Sequence, residues 1–116
     1  MGENYKKDNK VYKYYSITHQ DEISSGERLF VEIDGQPIVI VNIDGEIYAI
    51  SDRCSHDDGP LGDGEIVDHI IKCPRHGATF DIKTGKVLCL PAIVDIPVYP
   101  VKIDKGEILV GIPDEV

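Results

Sequence analysis

Four side chains with metal-binding donors fall into two short groups near the middle of the chain. Cys54 and His56 form the first group, Cys73 and His76 form the second, and sixteen residues separate them. Each group offers one soft thiolate and one borderline imidazole, donors that occur around zinc and iron–sulfur centres. The pattern C-x-H, sixteen residues, C-x-x-H therefore predicts one metal site built from two segments.

Strands are the elements that must position these groups. The sequence has 17 Ile and 11 Val, and β-branched side chains favour strands because they are stiff at χ1. Turn signals such as Asp34-Gly35, Asp44-Gly45 and Lys105-Gly106 recur between apolar runs. The predicted fold class is all-β, with one short helical turn capped by Thr18. The predicted strands span residues 11–17, 28–33, 36–43, 46–51, 65–67, 69–73, 79–82, 86–90, 96–103 and 106–112.

Both donor groups lie in predicted loops. Apolar periodicity stops between Asp52 and Gly64, where Gly, Pro and Asp dominate, and a second loop follows at Pro74 to Ala78. These loops lie at the tips of neighbouring predicted hairpins, so they can meet around one metal. A length of 116 residues is typical of one domain. The prediction is a single domain with one core over residues 1–116, with a metal-binding insertion at about 52–82.

The segment 54–81 resembles the two-box motif of Rieske iron–sulfur proteins, with Cys-Pro-x-His-Gly in the second box. This resemblance implies a Rieske fold of antiparallel sheets, in which two hairpin loops form a cluster-binding subdomain. It also implies one 2Fe-2S cluster, with one iron on Cys54 and Cys73 and the other on His56 and His76. Neutral imidazoles make such a cluster less negative than an all-cysteine one, so it accepts an electron more readily.

The sequence departs from the high-potential branch of that family at four positions. Gly59 and Arg75 stand where high-potential Rieske proteins carry two further cysteines that form a disulfide, so this disulfide is absent. Ala78 and Phe80 stand where those proteins place a Ser and a Tyr whose hydroxyls donate to cluster sulfurs. Without these donors the reduced cluster is stabilised less, which predicts a low potential.

The missing disulfide and hydroxyls resemble the ferredoxin components of bacterial aromatic-ring dioxygenase systems. That resemblance implies a carrier of single electrons from an NAD(P)H-dependent flavin reductase to a terminal oxygenase. A full Rieske oxygenase needs a further mononuclear iron site, whereas only His19 and His69 remain here, so the chain is predicted to be a carrier and not an enzyme. Two alternatives are a Rieske-fold small subunit of a nitrite-reductase-like complex, in which the ligands are commonly absent, and a zinc-stabilised interaction domain.

Composition narrows the classes of partner. A net charge of −9 without clustered Lys and Arg disfavours nucleic acid. No run approaches the ~20 apolar residues of a membrane span, and the amino terminus is polar, so we expect a soluble, cytoplasmic protein.

Three cysteines, an odd number, disfavour a disulfide framework. We expect Cys89 to be a small buried hydrophobe and Leu61 to keep water from the cluster.

Overall fold

The computed structural model describes residues 11–54, 59–75, 77–90, 92 and 94–113. Their regular structure consists of antiparallel strands and one 3₁₀ turn, Gln20–Glu22, which confirms the all-β prediction. No helix among these residues is long and apolar enough to cross a membrane. The strands are β1 Tyr12–His19, β2 Arg28–Ile33, β3 Gln36–Ile43, β4 Glu46–Ser51, β5 Ile66–Val67, β6 Ile70–Lys72, β7 Thr79–Asp81, β8 Val87–Cys89, β9 Val98–Tyr99, β10 Val101–Asp104 and β11 Glu107–Pro113.

Three sheets are formed by these strands. The first has the order β1-β11-β10, the second β2-β3-β4-β9, and the third β5-β6-β7-β8. Because β4 pairs directly with β9, the third sheet is inserted into the second between these two strands. It spans residues 66–89, within and just beyond the insertion predicted at about 52–82.

Tight hairpin turns set the strands of the second sheet. Asp34 and Gly35 have φ of 53° and 78°, and Asp44 and Gly45 have φ of 53° and 93°. Two successive residues with positive φ match the right-handed twist of the flanking strands. The bounds of β2, β3 and β4 therefore agree with the predicted ranges 28–33, 36–43 and 46–51.

Apart from strand ends that differ by one or two residues, two predicted elements differ from the structure. The range 96–103 was predicted as one strand, but Pro100 divides it into β9 and β10, which belong to different sheets. Proline has no N–H to continue a ladder, and its carbonyl instead accepts from the Gly111 N–H. Thr18 lies in β1 and pairs with Ile108, so His19 caps the 3₁₀ turn in its place.

Two cores form where one was expected, because the second sheet is buried on both faces. Side chains alternate along β3, so Ile38 and Ile40 enter one core while Val39 and Val41 enter the other. The base core lies against the first sheet and includes Ile108 and other β11 residues. The site core lies against the third sheet and contains Val39, Val41, Ile50, Cys54, Leu61, Ile71, Cys73, Ala78, Phe80, Ile82, Ala92 and Ile96.

Candidate metal centre

The second donor group lies at the tip of the hairpin of β6 and β7. Lys72 pairs with Thr79 at the end of this hairpin. Beyond it the Cys73 N–H donates to the Ala78 carbonyl at 2.7 Å, and the Gly77 N–H donates to the Cys73 carbonyl at 3.0 Å. These bonds close residues 73–78, here called loop 2, back on the cysteine.

The first donor group has the same closing pattern. Arg53 pairs with Pro60 in an isolated antiparallel bridge, and the Cys54 N–H donates to the Gly59 carbonyl at 2.8 Å. Residues 54–59 are here called loop 1, and the structure describes both of its ends. In both loops a cysteine amide bonds to the carbonyl five residues later, so the two loops present their cysteines in equivalent backbone positions.

His56 and His76 lie outside the described residues, so their role as ligands stays a prediction. His56 is the third residue of loop 1 and His76 the fourth of loop 2. Among the described residues, no group of three His, Cys, Asp or Glu side chains is placed to hold a metal.

The two cysteines fit an iron–sulfur cluster. Neither Cys54 nor Cys73 is in a disulfide bond, each is 1% exposed, and both belong to the site core. Leu61 and Ala78 lie in the same core and are fully buried. Two soft sulfur donors in a dry apolar setting suit a cluster whose sulfurs must be kept from water.

Cys89 is exposed, which makes the prediction of a buried residue wrong. The ladder of β7 and β8 shifts register between Thr79 and Phe80, so Phe80 pairs with Val87 while Thr79 pairs with Cys89. Val87 therefore packs against the site core, whereas Cys89 lies on the edge strand with its side chain in solvent. The exposure of Cys89 follows from this bulge, which the local sequence pattern does not reveal.

The two remaining histidines have structural contacts away from the loops. The His19 Nδ1 atom accepts from the Asp21 N–H at 3.2 Å. The His69 ring meets the Tyr48 ring edge-on, with 5.6 Å between centroids. Tyr48 also donates to Glu46, and this hydrogen bond, with burial adding to it, raises the pKa of Tyr48 to about 12.

Two charged residues near loop 1 were missed by the sequence interpretation. The Asp52 carboxylate accepts from the Leu61 and Gly62 amides. Arg28, from β2, donates to the Gly62 and Gly64 carbonyls. Asp52 stands two residues before Cys54, which is a weak local signal, but Arg28 lies 34 and 36 residues from its acceptors, so no local pattern could have identified it.

Comparison with known proteins agrees with this architecture. A model of the Rieske [2Fe-2S] domain matches residues 13–100. The 3-phenylpropionate/cinnamic acid dioxygenase ferredoxin subunit of Escherichia coli (strain K12) is 41% identical over 95 residues, covering 80% of this chain and 88% of that protein. The solved ferredoxin of carbazole 1,9a-dioxygenase from Nocardioides aromaticivorans IC177 is 31% identical with a TM-score of 0.79, covering 84% of this chain and 96% of that one.

A second solved structure is a complex of reduced oxygenase and oxidized ferredoxin in carbazole 1,9a-dioxygenase. The matched chain is 26% identical with a TM-score of 0.78, covering 84% of this chain and 91% of that one. The family model spans most of the chain, and the chain belongs to the Rieske [2Fe-2S] domain family. Its cofactor is one Rieske-type 2Fe-2S cluster, which sets the zinc alternative aside. Its role is that of a ferredoxin, an electron carrier without catalysis of its own.

Proposed function

We propose that this ferredoxin takes single electrons from an NAD(P)H-dependent flavin reductase and delivers them to a terminal oxygenase. The observation that carries the proposal is the match over most of both chains to dioxygenase ferredoxin subunits. A further matched structure contains a ferredoxin together with its oxygenase. Because the relatives are ferredoxin subunits, the nitrite-reductase-like alternative has no comparable support.

The proposed ligands are Cys54, His56, Cys73 and His76. When bound, the cluster supplies a one-electron acceptor that is less reducing than an all-cysteine 2Fe-2S centre. The thiolates of Cys54 and Cys73 would hold it from within the site core, where both side chains are 1% exposed. The imidazoles of His56 and His76 would complete the set from the same two loops. Leu61, which belongs to the same core as the two cysteines, would exclude water from the cluster.

An electron-relay assay tests this proposal. The protein, reduced stoichiometrically, is mixed without oxygen with an oxidised oxygenase component of a ring-hydroxylating system. We expect the absorbance change of ferredoxin reoxidation to match that of oxygenase reduction, one electron per chain. The control is the same protein after removal of iron, which should transfer none. Transfer that proceeds equally well without the cluster, or no transfer to any such oxygenase, would contradict the proposed role.

A low potential is part of the proposal. Ala78 and Phe80 are fully buried in the site core, to which both cysteines also belong, and neither side chain has a hydroxyl to donate to a sulfur. Hydrogen bonds to cluster sulfurs stabilise the extra negative charge of the reduced state. We therefore expect a midpoint potential near the lower end of the Rieske range, roughly −150 mV.

The double substitution Ala78→Ser with Phe80→Tyr should raise that potential. Each new hydroxyl that donates to a charged acceptor is worth about 1.5 kcal/mol or more, and a one-electron couple shifts by about 59 mV for each tenfold change in its equilibrium constant. The two hydroxyls together should therefore raise the midpoint potential by roughly 120 mV, measured by voltammetry at neutral pH. Thr79→Ser, between the two positions, is the matched control. An unchanged midpoint in a folded, cluster-containing double variant would show that these side chains do not face the sulfurs.

A cytoplasmic location also remains a proposal. None of the three cysteines Cys54, Cys73 and Cys89 is in a disulfide bond, which is typical of proteins in a reducing compartment. An exposed cysteine such as Cys89 would be open to oxidation elsewhere. Fractionation of cells that express the protein, followed by immunoblotting, tests the location, and recovery outside the cytoplasmic fraction would contradict it.

A further inference from the structure

The two cluster loops differ in how their hairpins are supported. Loop 2 extends the ladder of β6 and β7, in which Ile70, Ile71 and Lys72 pair with Asp81, Phe80 and Thr79. Loop 1 is closed by the Cys54–Gly59 hydrogen bond, and the strand pairing at its base, among the described residues, is the isolated bridge between Arg53 and Pro60. Its base therefore lacks the further strand pairs that hold loop 2.

A carboxylate occupies the next position of the loop 1 hairpin. If the ladder continued below the Arg53–Pro60 bridge, Asp52 would pair with Leu61 through the backbone. Instead the Asp52 Oδ1 atom accepts from the Leu61 N–H at 3.1 Å and from the Gly62 N–H at 2.5 Å. The Asp52 N–H donates to the Pro37 carbonyl of β3 at 3.0 Å. Asp52 thus joins the returning end of loop 1 to the second sheet.

Arg28 binds the carbonyl groups of the same turn, whereas Asp52 binds its amides. Its Nη1 atom donates to the Gly62 carbonyl and, at 2.7 Å, to the Gly64 carbonyl. Gly62 is therefore bound through its amide by an anion and through its carbonyl by a cation. A Cβ atom at Gly62 would lie 2.5 Å from Phe30 Cε2 and 2.8 Å from Asp52 Oδ1, so the backbone is packed closely against both side chains.

The turn held in this way contacts both cysteine segments. Leu61 lies in the site core with Cys54 and Cys73, and its carbonyl accepts from the Gly64 N–H at 2.9 Å. A Cβ atom at Gly64 would lie 2.0 Å from the carbonyl oxygen of Lys72, the residue before Cys73. The turn therefore packs against the backbone that leads into loop 2.

We propose that Arg28 and Asp52 are positioning residues that fix loop 1 against loop 2 and so set the geometry of the cluster. The pair is called here the Gly62 clamp. It replaces, with charged side chains from the second sheet, the strand pairs that loop 1 lacks. The inference rests on the proposed function, since it takes the two loops to carry the ligands.

The test compares variants of the holoprotein that weaken each half of the clamp. Arg28→Met and Asp52→Ala remove the donor and the acceptor, whereas Arg28→Lys and Asp52→Asn keep a polar group of the same kind. Asp63→Asn, an exposed carboxylate in the same turn, and Lys83→Met, an exposed cation in the turn between β7 and β8, are the matched controls. Cluster loss is followed by visible absorbance, and cluster geometry by the g values of the reduced protein in EPR.

We expect Arg28→Met and Asp52→Ala each to lose the cluster about tenfold faster, the effect of one hydrogen bond to a charged group, and to show shifted g values. Arg28→Lys and Asp52→Asn should lie between these variants and the wild type. Both side chains hold Gly62, so their effects should not be independent. In the double variant Arg28→Met with Asp52→Ala, the activation free energy of cluster loss should fall by less than the sum of the two single changes. The controls should behave as wild type.

Wild-type rates and g values in Arg28→Met and Asp52→Ala would overturn the clamp. Strict additivity in the double variant would do the same. If either of these variants loses the circular dichroism signal of its strands, it has not folded. The rate of cluster loss and the g values of Arg28→Lys and Asp52→Asn then test the clamp in its place. A wild-type protein without a Rieske-type EPR signal would instead overturn the proposed function, so the two failures are distinguishable.

Discussion

Cys54→Ser and Cys73→Ser are each expected to yield protein that retains almost no 2Fe-2S cluster, whereas Cys89→Ser retains it. Thiolates are the ligands that iron–sulfur clusters require, and a serine hydroxyl is a harder donor that ionises far less readily. Cys54 and Cys73 are buried in the site core, while Cys89 is exposed on the edge strand β8. Iron and acid-labile sulfide per chain, together with visible absorbance, measure the outcome.

The comparison among the three cysteines separates ligation from folding. A buried hydroxyl without a partner costs about 1–3 kcal/mol, so the circular dichroism of each variant must be compared with that of the wild type. A folded Cys54→Ser or Cys73→Ser protein with a full complement of iron and sulfide would contradict the assignment. Equal loss in Cys89→Ser would also contradict it, because that side chain lies outside the site core.

Replacing both histidines with cysteine should lower the midpoint potential by roughly 250 mV, the difference between the lower end of the Rieske range and an all-cysteine cluster near −400 mV. Two thiolates in place of neutral imidazoles add negative charge around the irons, so the reduced state is disfavoured. The variant His56→Cys with His76→Cys is measured by voltammetry. If the double variant loses the cluster, the single variants His56→Cys and His76→Cys are measured instead. Each is expected to lower the midpoint potential by about half as much.

His69→Cys is the matched control because His69 contacts Tyr48, away from the loops. Its potential should equal that of the wild type. The pH profile adds a second comparison, since the wild-type potential should fall once the pH rises past deprotonation of the ligand imidazoles. That fall should disappear when both histidines are replaced. A double variant with the wild-type potential and pH profile would exclude His56 and His76 as ligands.

Local signals in the sequence predicted much of this fold. The turns Asp34-Gly35 and Asp44-Gly45 fix the strands beside them through positive φ, so β2, β3 and β4 were predicted with their bounds. The loop cysteines Cys54 and Cys73 followed from their spacing and are found buried together in the site core.

Features that depend on distant residues were not predicted. The exposure of Cys89 follows from a register shift against β7, and the second core follows from β3 being covered on both faces. Arg28 has an ordinary position in β2, and only the folded chain brings it to the carbonyls of Gly62 and Gly64. Pattern and spacing thus singled out the two buried cysteines as candidate ligands. The contacts of Arg28 and Asp52 with the turn after loop 1 could be recognised only in the tertiary structure.

The most direct test of the Rieske assignment is pulsed EPR on the reduced wild-type protein. We expect strong couplings to two imidazole nitrogens, with one lost in His56→Cys, the other lost in His76→Cys, and both kept in Cys89→Ser. A reduced cluster without nitrogen coupling, or nitrogen couplings that survive both histidine substitutions, would contradict it.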